Sequence, residues 1–347
     1  MATIVAVRSG NWSNTSHVTG PWPGASTPTT KPASGDTVQT DAYIVTIDEN
    51  VTVAQLEATS SGRFDVSATR TITGNLVAAG TYTSGALRCT HTGGSTVTFI
   101  GNVAITSATA NVKGINNSST GTLAVTGNMT GTGGSGQGCL YNASSGTINL
   151  TGTVSGSSVF DSNTIWNNST GTIAVTGDVS GASGPGAFNI GTGTIEVTGN
   201  VFGAGVNGYG VRNNGTGTVT VSGTATGGTG AGVYGVYNGS TGTVTVKRAK
   251  GGSGLGAAGL YGANSGGVTT FKELEFGSNG CSPVAGFVKM LIDQAVNLIV
   301  VKRSDTGADY SMSNDYPAVG DVKNGVVYNR TTMTGTYSAS GVIVIED

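Results

Sequence analysis

The chain has 347 residues, 60 of them glycine, with 10% charged residues and a formal net charge of −2. That length allows two ordinary domains or one elongated domain. The sparse charge leaves no basic stripe to neutralise phosphates, so nucleic-acid binding is not expected, and no run of about 18 apolar residues points to membrane insertion.

Residues 1–50 are non-repetitive. The opening MATIVAVRSGNWSNTS has no apolar signal-peptide core, which predicts synthesis in a cytoplasm without export. VRSGNWSN is followed by a Pro/Thr/Ser/Gly stretch from Gly20 to Gly35, which is turn and loop material. GDTVQTDAYIVTID then reads as strand. Trp12 and Trp22 fall in this lead-in, and the simplest role for both is to pin a loop onto the end of a core.

Residues 51–270 read as a solenoid. The early part is irregular (VTVAQLEATSSG, GRFDVSATRTITGNL, STVTFIGNV), and a regular repeat sets in from 115. Its marker glycines are Gly121, Gly146, Gly171, Gly193, Gly217, Gly242 and Gly267, which recur at a nearly constant interval, shortest between Gly171 and Gly193. Around the first six stands a Thr/Ser-Gly-Thr triplet followed by alternating apolar residues, as in TGTLAVTG and TGTIEVTG. Alternation of period two is a strand signal, and recurrence at a fixed period means stacked coils. A coil of about 24 residues without a hexapeptide frame, together with the crossover rule, predicts a right-handed parallel β-helix. Three inward columns follow: Leu123, Ile148, Ile173, Ile195, Val219 and Val244; Val125, Leu150, Val175, Val197, Val221 and Val246; and Met129, Val154, Val179 and Val201. The triplet threonines from Thr122 to Thr243 are expected outside. Residues 271–347 break the period and read as a small C-terminal β cap or attachment region.

Two further columns stand out. Four residues ahead of each of the first six marker glycines is an asparagine: Asn117, Asn142, Asn167, Asn189, Asn213 and Asn238. Asparagine tolerates tight turns, and stacked amides hydrogen-bond along a ladder, so these are expected to be structural rather than a site. Immediately before five of them stand Tyr141, Trp166, Phe188, Arg212 and Tyr237. In register these form an outward aromatic stripe with one guanidinium. Simple edge packing, contact with a protein partner, and stacking on cell-surface glycans are its three readings.

Catalytic chemistry finds little to work with. Between Ile115 and Val246 the only charges are Asp161, Asp178, Glu196 and Arg212. The acids fall at different phases of the repeat and are not expected to converge as a glycosidase pair. His17 and His91 sit in no metal or triad spacing. Cys89, Cys139 and Cys281 are odd in number and far apart, which reads as reduced packing thiols. Gly-rich runs such as GGSGLGAAG lack a Walker lysine. No metal, cofactor or enzymatic activity is expected. A flat Thr-x-Thr face is also what an ice-binding solenoid presents. Here the position between the threonines varies (Ala124, Asn149, Ala174, Glu196, Thr220, Thr245), which argues against a lattice match.

The lead-in SGNWSNTSHVTGPWPG…GDTVQTDAYIVTIDENVTVAQL resembles the segment that precedes β-helices in bacteriophage virion proteins. The rod repeat is similar to theirs. So is the tail running from Pro317 to Tyr328 with Thr334-Gly-Thr336 after it. The resemblance implies a structural or decoration protein on a virion surface (capsid decoration, head fibre or tail fibre), made in the host cytoplasm. Its expected partners are other virion proteins, further copies of itself, a trimer among the options, and host-surface glycans. Two alternatives stand beside this one: a tailspike-like polysaccharide depolymerase, and a bacterial surface adhesin, which would need an export signal.

Overall fold

The computed structural model describes residues 2–16, 18–23, 30–81, 85–109, 112–131, 138–156, 163–254, 257–262 and 267–275, then the segments 284–286, 289–291, 300–302, 309–311, 334–338 and 342–346, with side chains as far as Phe271. Among these residues every regular element is a strand, and parallel strands stack in about eight coils about 25 residues apart. The protein is a β-solenoid.

One coil shows how the sequence builds the rest. A strand over Gly138–Asn142 leads through a short turn into Thr147–Thr151, and the chain bends at Gly152 into Val154–Ser155. Each strand pairs in parallel with its counterpart one coil on. Thr147 lies opposite Thr172, Tyr141 opposite Trp166, and Val154 opposite Val179. The three faces are here called the asparagine face (138–142 and equivalents), the threonine face (147–151) and the short face (154–155).

The inward columns are buried as alternation requires. Leu123, Ile148, Ile173, Ile195, Val219 and Val244 have no exposed surface, and the second and third columns are at most 2% exposed. Fully burying each such side chain stabilises by roughly 1.5–3 kcal/mol. The columns also run further than the repeat does, through Val97 and Phe99 upstream and to Phe271 downstream. Facing outward, Thr122 and its counterparts are half-buried, whereas Thr126, Thr151, Thr176 and Thr198 are exposed.

The ladder ignores the change in sequence at residue 51. Thr3–Val5 pairs in parallel with Thr37–Gln39, which pairs with Gln55–Glu57; Gly10–Asn11 pairs with Val45–Thr46. The lead-in therefore forms the first rungs. Backbone pairing needs strand geometry, not a repeated sequence, so the long step from Thr3 to Thr37 and the short one from Thr37 to Gln55 are both accommodated. The boundary at 270 is crossed too: Val268–Glu275 pairs in parallel with Lys289–Leu291 and Val300–Lys302. Beyond it pairing turns antiparallel, between 300–302 and 309–311, 289–291 and 342–346, and 334–338 and 342–346. That change ends the parallel stack. The 317–328 phrase lies outside the described residues.

At the opposite end Trp12 and Trp22 are 3% and 1% exposed, in edge-to-face contact with ring centroids 4.7 Å apart. Trp22 Nε1 donates to the Trp12 carbonyl at 2.8 Å. The pair fixes the loop onto the first rungs.

Candidate contact surface

The asparagine face positions both sequence columns. In its strands from Lys113–Asn117 to Val236–Asn238 the asparagine points in, and the residue before it points out. The six asparagines lie in one register, and all are 0–1% exposed. Two kinds of bond hold them. Asn142, Asn167, Asn189, Asn213 and Asn238 each donate Nδ2 to the carbonyl of their own marker glycine, at 2.8–3.2 Å. Along the stack, Asn117 donates to Asn142 Oδ1 at 3.1 Å, Asn142 to Asn167 at 3.4 Å, Asn189 to Asn213 at 3.2 Å and Asn213 to Asn238 at 3.5 Å.

The ladder breaks once, in the coil where Gly193 follows Gly171 at the short interval. Asn167 donates to the Thr194 carbonyl instead, and Asn189 Oδ1 is left buried without a partner. The shortening falls in the connection from the short face to the next asparagine-face strand. Only 181–186 separate Ser180 from Ala187, whereas 156–164 lie between Ser155 and Ile165.

Sequence reading misses a second ladder. Residues that follow the bend glycines cap the next coil: Asn75 Oδ1 accepts from the Asn102 N–H at 3.0 Å, Asn102 from Asn128 at 2.9 Å, Asn128 from Thr153 at 2.9 Å, and Asn200 from Thr224 at 2.9 Å. Asp178 occupies the same position, and its Oδ1 accepts from both the backbone and the side chain of Asn200, at 2.7 and 3.2 Å. The available signal is an Asn or Asp seven places after Gly121, Gly171 and Gly193, but Thr153 and Thr224 interrupt it.

The outward column is continuous. In successive rungs stand Asp65, Arg88, Asn116, Tyr141, Trp166, Phe188, Arg212, Tyr237 and Tyr261. All five residues expected there from sequence are brought together, and Tyr261 extends them. Tyr141 and Trp166 rings are 4.8 Å apart, Trp166 and Phe188 6.1 Å, and Tyr237 and Tyr261 5.1 Å at an interplanar angle of 11°. Tyr209 and Tyr234 enter from the preceding loops, three residues before Arg212 and Tyr237. Tyr234 lies 4.6 Å from Tyr261 at 12°. Burial and the neighbouring phenols push the Tyr234 hydroxyl above its ordinary pKa. The phrases GYGVRN and VYGVYN carry this second row, but the earlier coils have Asn163 and Pro185 at that position.

Trp166 and Phe188, and Tyr234, Tyr237 and Tyr261, stack face to face. Tyr141 is tilted 56° against Trp166, its hydroxyl accepts from Asn168 Nδ2 at 3.0 Å, and Trp166 Nε1 is buried without an acceptor. Stacking on a sugar needs an open face, and the stacked rings largely cover one another. Arg212 is clasped by three rings, with Cζ 5.1 Å from Phe188, 5.5 Å from Tyr209 and 5.7 Å from Tyr237. Its Nε is buried without an acceptor. At the N-terminal end of the column the charges do find partners: Asp65 takes Arg63 at 2.8 Å and Arg88 at 2.6 Å, and Lys113 stands over Tyr141.

The remaining reactive groups are dispersed. Among the described residues no three His, Cys, Asp or Glu side chains cluster as metal ligands. Glu196 is exposed on the threonine face, while Asp161, His17 and Cys281 lie outside the described residues. Buried His91 bonds the Thr122 carbonyl through Nε2 at 3.0 Å and approaches Ser119 Oγ at 3.2 Å, and burial lowers its pKa. Cys89 and Cys139 are free thiols, pushed up to about 12 by burial. No known family, curated protein or solved structure matches the chain.

Proposed function

We propose that this chain is a structural rod on the surface of a phage particle, and that the aromatic column of the asparagine face is the surface by which it engages protein partners. The observation that carries this reading is the column itself. Tyr141, Trp166, Phe188, Arg212, Tyr237 and Tyr261 form an unbroken outward series, half-buried in the single chain. Tyrosine, tryptophan and arginine are the residues that dominate binding energy at protein interfaces. The coils need no aromatic residue at these positions to fold, because Asn116 and Arg88 occupy the same column upstream. The resemblance of lead-in and repeat to virion proteins supports the particle as the setting, and a long, weakly charged solenoid suits a scaffold.

The test is retention on the native particle. A Y141A/W166A/Y237A chain should keep its β-rich circular dichroism and lose attachment, followed by electron microscopy with a label at the C-terminus. Wild-type attachment by the triple variant would refute the contact role. Release of oligosaccharides from purified capsular polysaccharide by the wild-type chain would replace the structural reading with a depolymerase.

A further inference from the structure

Two solvent-facing surfaces of the regular coils carry charges of opposite sign at mid-rod, Glu196 on the threonine face and Arg212 on the asparagine face, while Lys247 and Lys113 stand further along the same two faces. On the threonine face the outward positions from Thr96 to Thr245 are Thr, Ser, Ala, Asn and Ile, with Glu196 the one ionised residue. On the asparagine face the outward column from Tyr141 to Tyr261 is aromatic, with Arg212 the one ionised residue. Among the described residues neither has an ion-pair partner. Glu196 is exposed, and Arg212 is held by rings with Nε unpaired. A guanidinium offers five donors and is costly to leave half-buried without an acceptor.

The two charges also lie within one rung of each other along the rod. Glu196 follows Phe188 in one coil, and Arg212 is the next residue above Phe188 in the column. With adjacent strands about 4.8 Å apart, the charges differ in axial level by less than one rung, roughly 3 Å. The faces that bear them are consecutive and meet at the turn around each marker glycine.

We propose that a second copy of this chain covers the aromatic column, its threonine face laid in parallel and in register, with Glu196 of one copy paired to Arg212 of the next. Such a contact joins unlike faces, and with the rods parallel and in register it closes as a ring about an axis parallel to the rod when the rotation between copies divides a full turn. Axial rotation leaves heights unchanged, so Glu196 stands between the levels of Phe188 and Arg212 of its neighbour, within side-chain reach of the guanidinium. The threonine face suits this role: from Thr122 to Thr245 its outward side chains are small and mostly hydroxyl-bearing, with Glu196 the one charge to desolvate, and Lys247 lies beyond that span. The inference rests on the column being a protein contact surface and names its partner.

The experiment is a charge swap read by sedimentation and native mass spectrometry of the full chain. R212E and E196R should each weaken self-association by about tenfold or more, and R212E/E196R should restore it to near wild type. R212C/E196C should form disulfide-linked oligomers larger than dimers under oxidation, whereas R212C and E196C alone, with one new thiol each, should stop at collisional dimers. A wild-type chain that stays monomeric at high micromolar concentration overturns the proposal, as does a double reversal that fails to rescue. If Y141A/W166A/Y237A abolishes assembly while both single reversals leave it intact, the Glu196 pairing is wrong and the column's contact role stands.

Discussion

Replacing Asn142 with alanine removes the donor to Gly146, the donor to Asn167 Oδ1 and the acceptor of Asn117 Nδ2. Gly146 keeps a partner, because its carbonyl also accepts from Thr172 N at 3.2 Å. Asn117 Nδ2 and Asn167 Oδ1 are left buried and unpaired. At about 1–3 kcal/mol for each stranded group, the loss is about 2–6 kcal/mol. Asn189 gives the internal contrast. Its Oδ1 already lacks a donor, so N189A strands only Asn213 Oδ1 and removes an existing orphan. N142A should therefore cost about 2–6 kcal/mol more than N189A, although both delete the same atoms from the same column. Coils of a solenoid open locally, so the measurement is native-state hydrogen exchange at the Gly146 and Thr147 amides for N142A, and at Gly193 and Thr194 for N189A. Equal losses in opening free energy at the two sites would show that the side-chain ladder contributes nothing beyond the cap on the marker glycine.

Gly127 sits at the bend between the threonine and short faces with φ of 143°, where an added Cβ would meet the Gly101 carbonyl. Gly232 has φ of 66°, and the nearest atom to an added Cβ is Tyr234 Oη at 4.0 Å. G127A should thus lower the thermal midpoint well beyond G232A, whose cost is the left-handed backbone alone, about 1–2 kcal/mol; similar shifts would mean that the glycine stack does not limit coil spacing. Burial holds His91 below the ordinary histidine value of 6.5, so below that pH the unfolded chain takes up a proton that the folded chain refuses. Its contribution is complete above about pH 6.5 and is lost as pH falls toward the folded value. Melting at pH 5.5 and 7.5 should therefore separate wild type from H91Q by the steeper acid loss of wild type, and parallel losses would contradict the assignment.

The parts of this fold that sequence exposes are those in which one residue type recurs at one phase. Inward valines, the inward asparagines and the outward aromatic residues all meet that condition, because stacking places identical chemistry once in every coil. The first rungs do not meet it. Thr3–Val5 and Thr37–Gln39 pair through backbone groups alone, and the step between them matches no later interval. The cap ladder is hidden for a different reason. Its function is to accept one N–H, which asparagine or aspartate performs equally well, so Asn128 and Asp178 look unrelated when read as residue types. Asp178 then resembles a stray carboxylate available for chemistry until Asn200 is seen to fill it.

The marker glycine connects what sequence presents as two separate signals. A Cβ on Gly146, Gly171, Gly193 or Gly217 would lie 2.6–3.0 Å from the amide nitrogen of Asn117, Asn142, Asn167 or Asn189 in the coil before. Glycine is needed because the backbone carbonyls of the preceding turn lie closer still, and the asparagine of each coil caps the carbonyl that the tight turn at its own glycine directs into the core. Upstream, Cys89 and Val66 occupy the asparagine column in coils that lack the Thr-Gly-Thr turn. The apolar columns run through those coils too, so the close stacking of glycine turns and their asparagine caps is what adds register control in the regular coils. That register aligns the outward side chains into a column, and it sets Glu196 and Arg212 within one rung of each other.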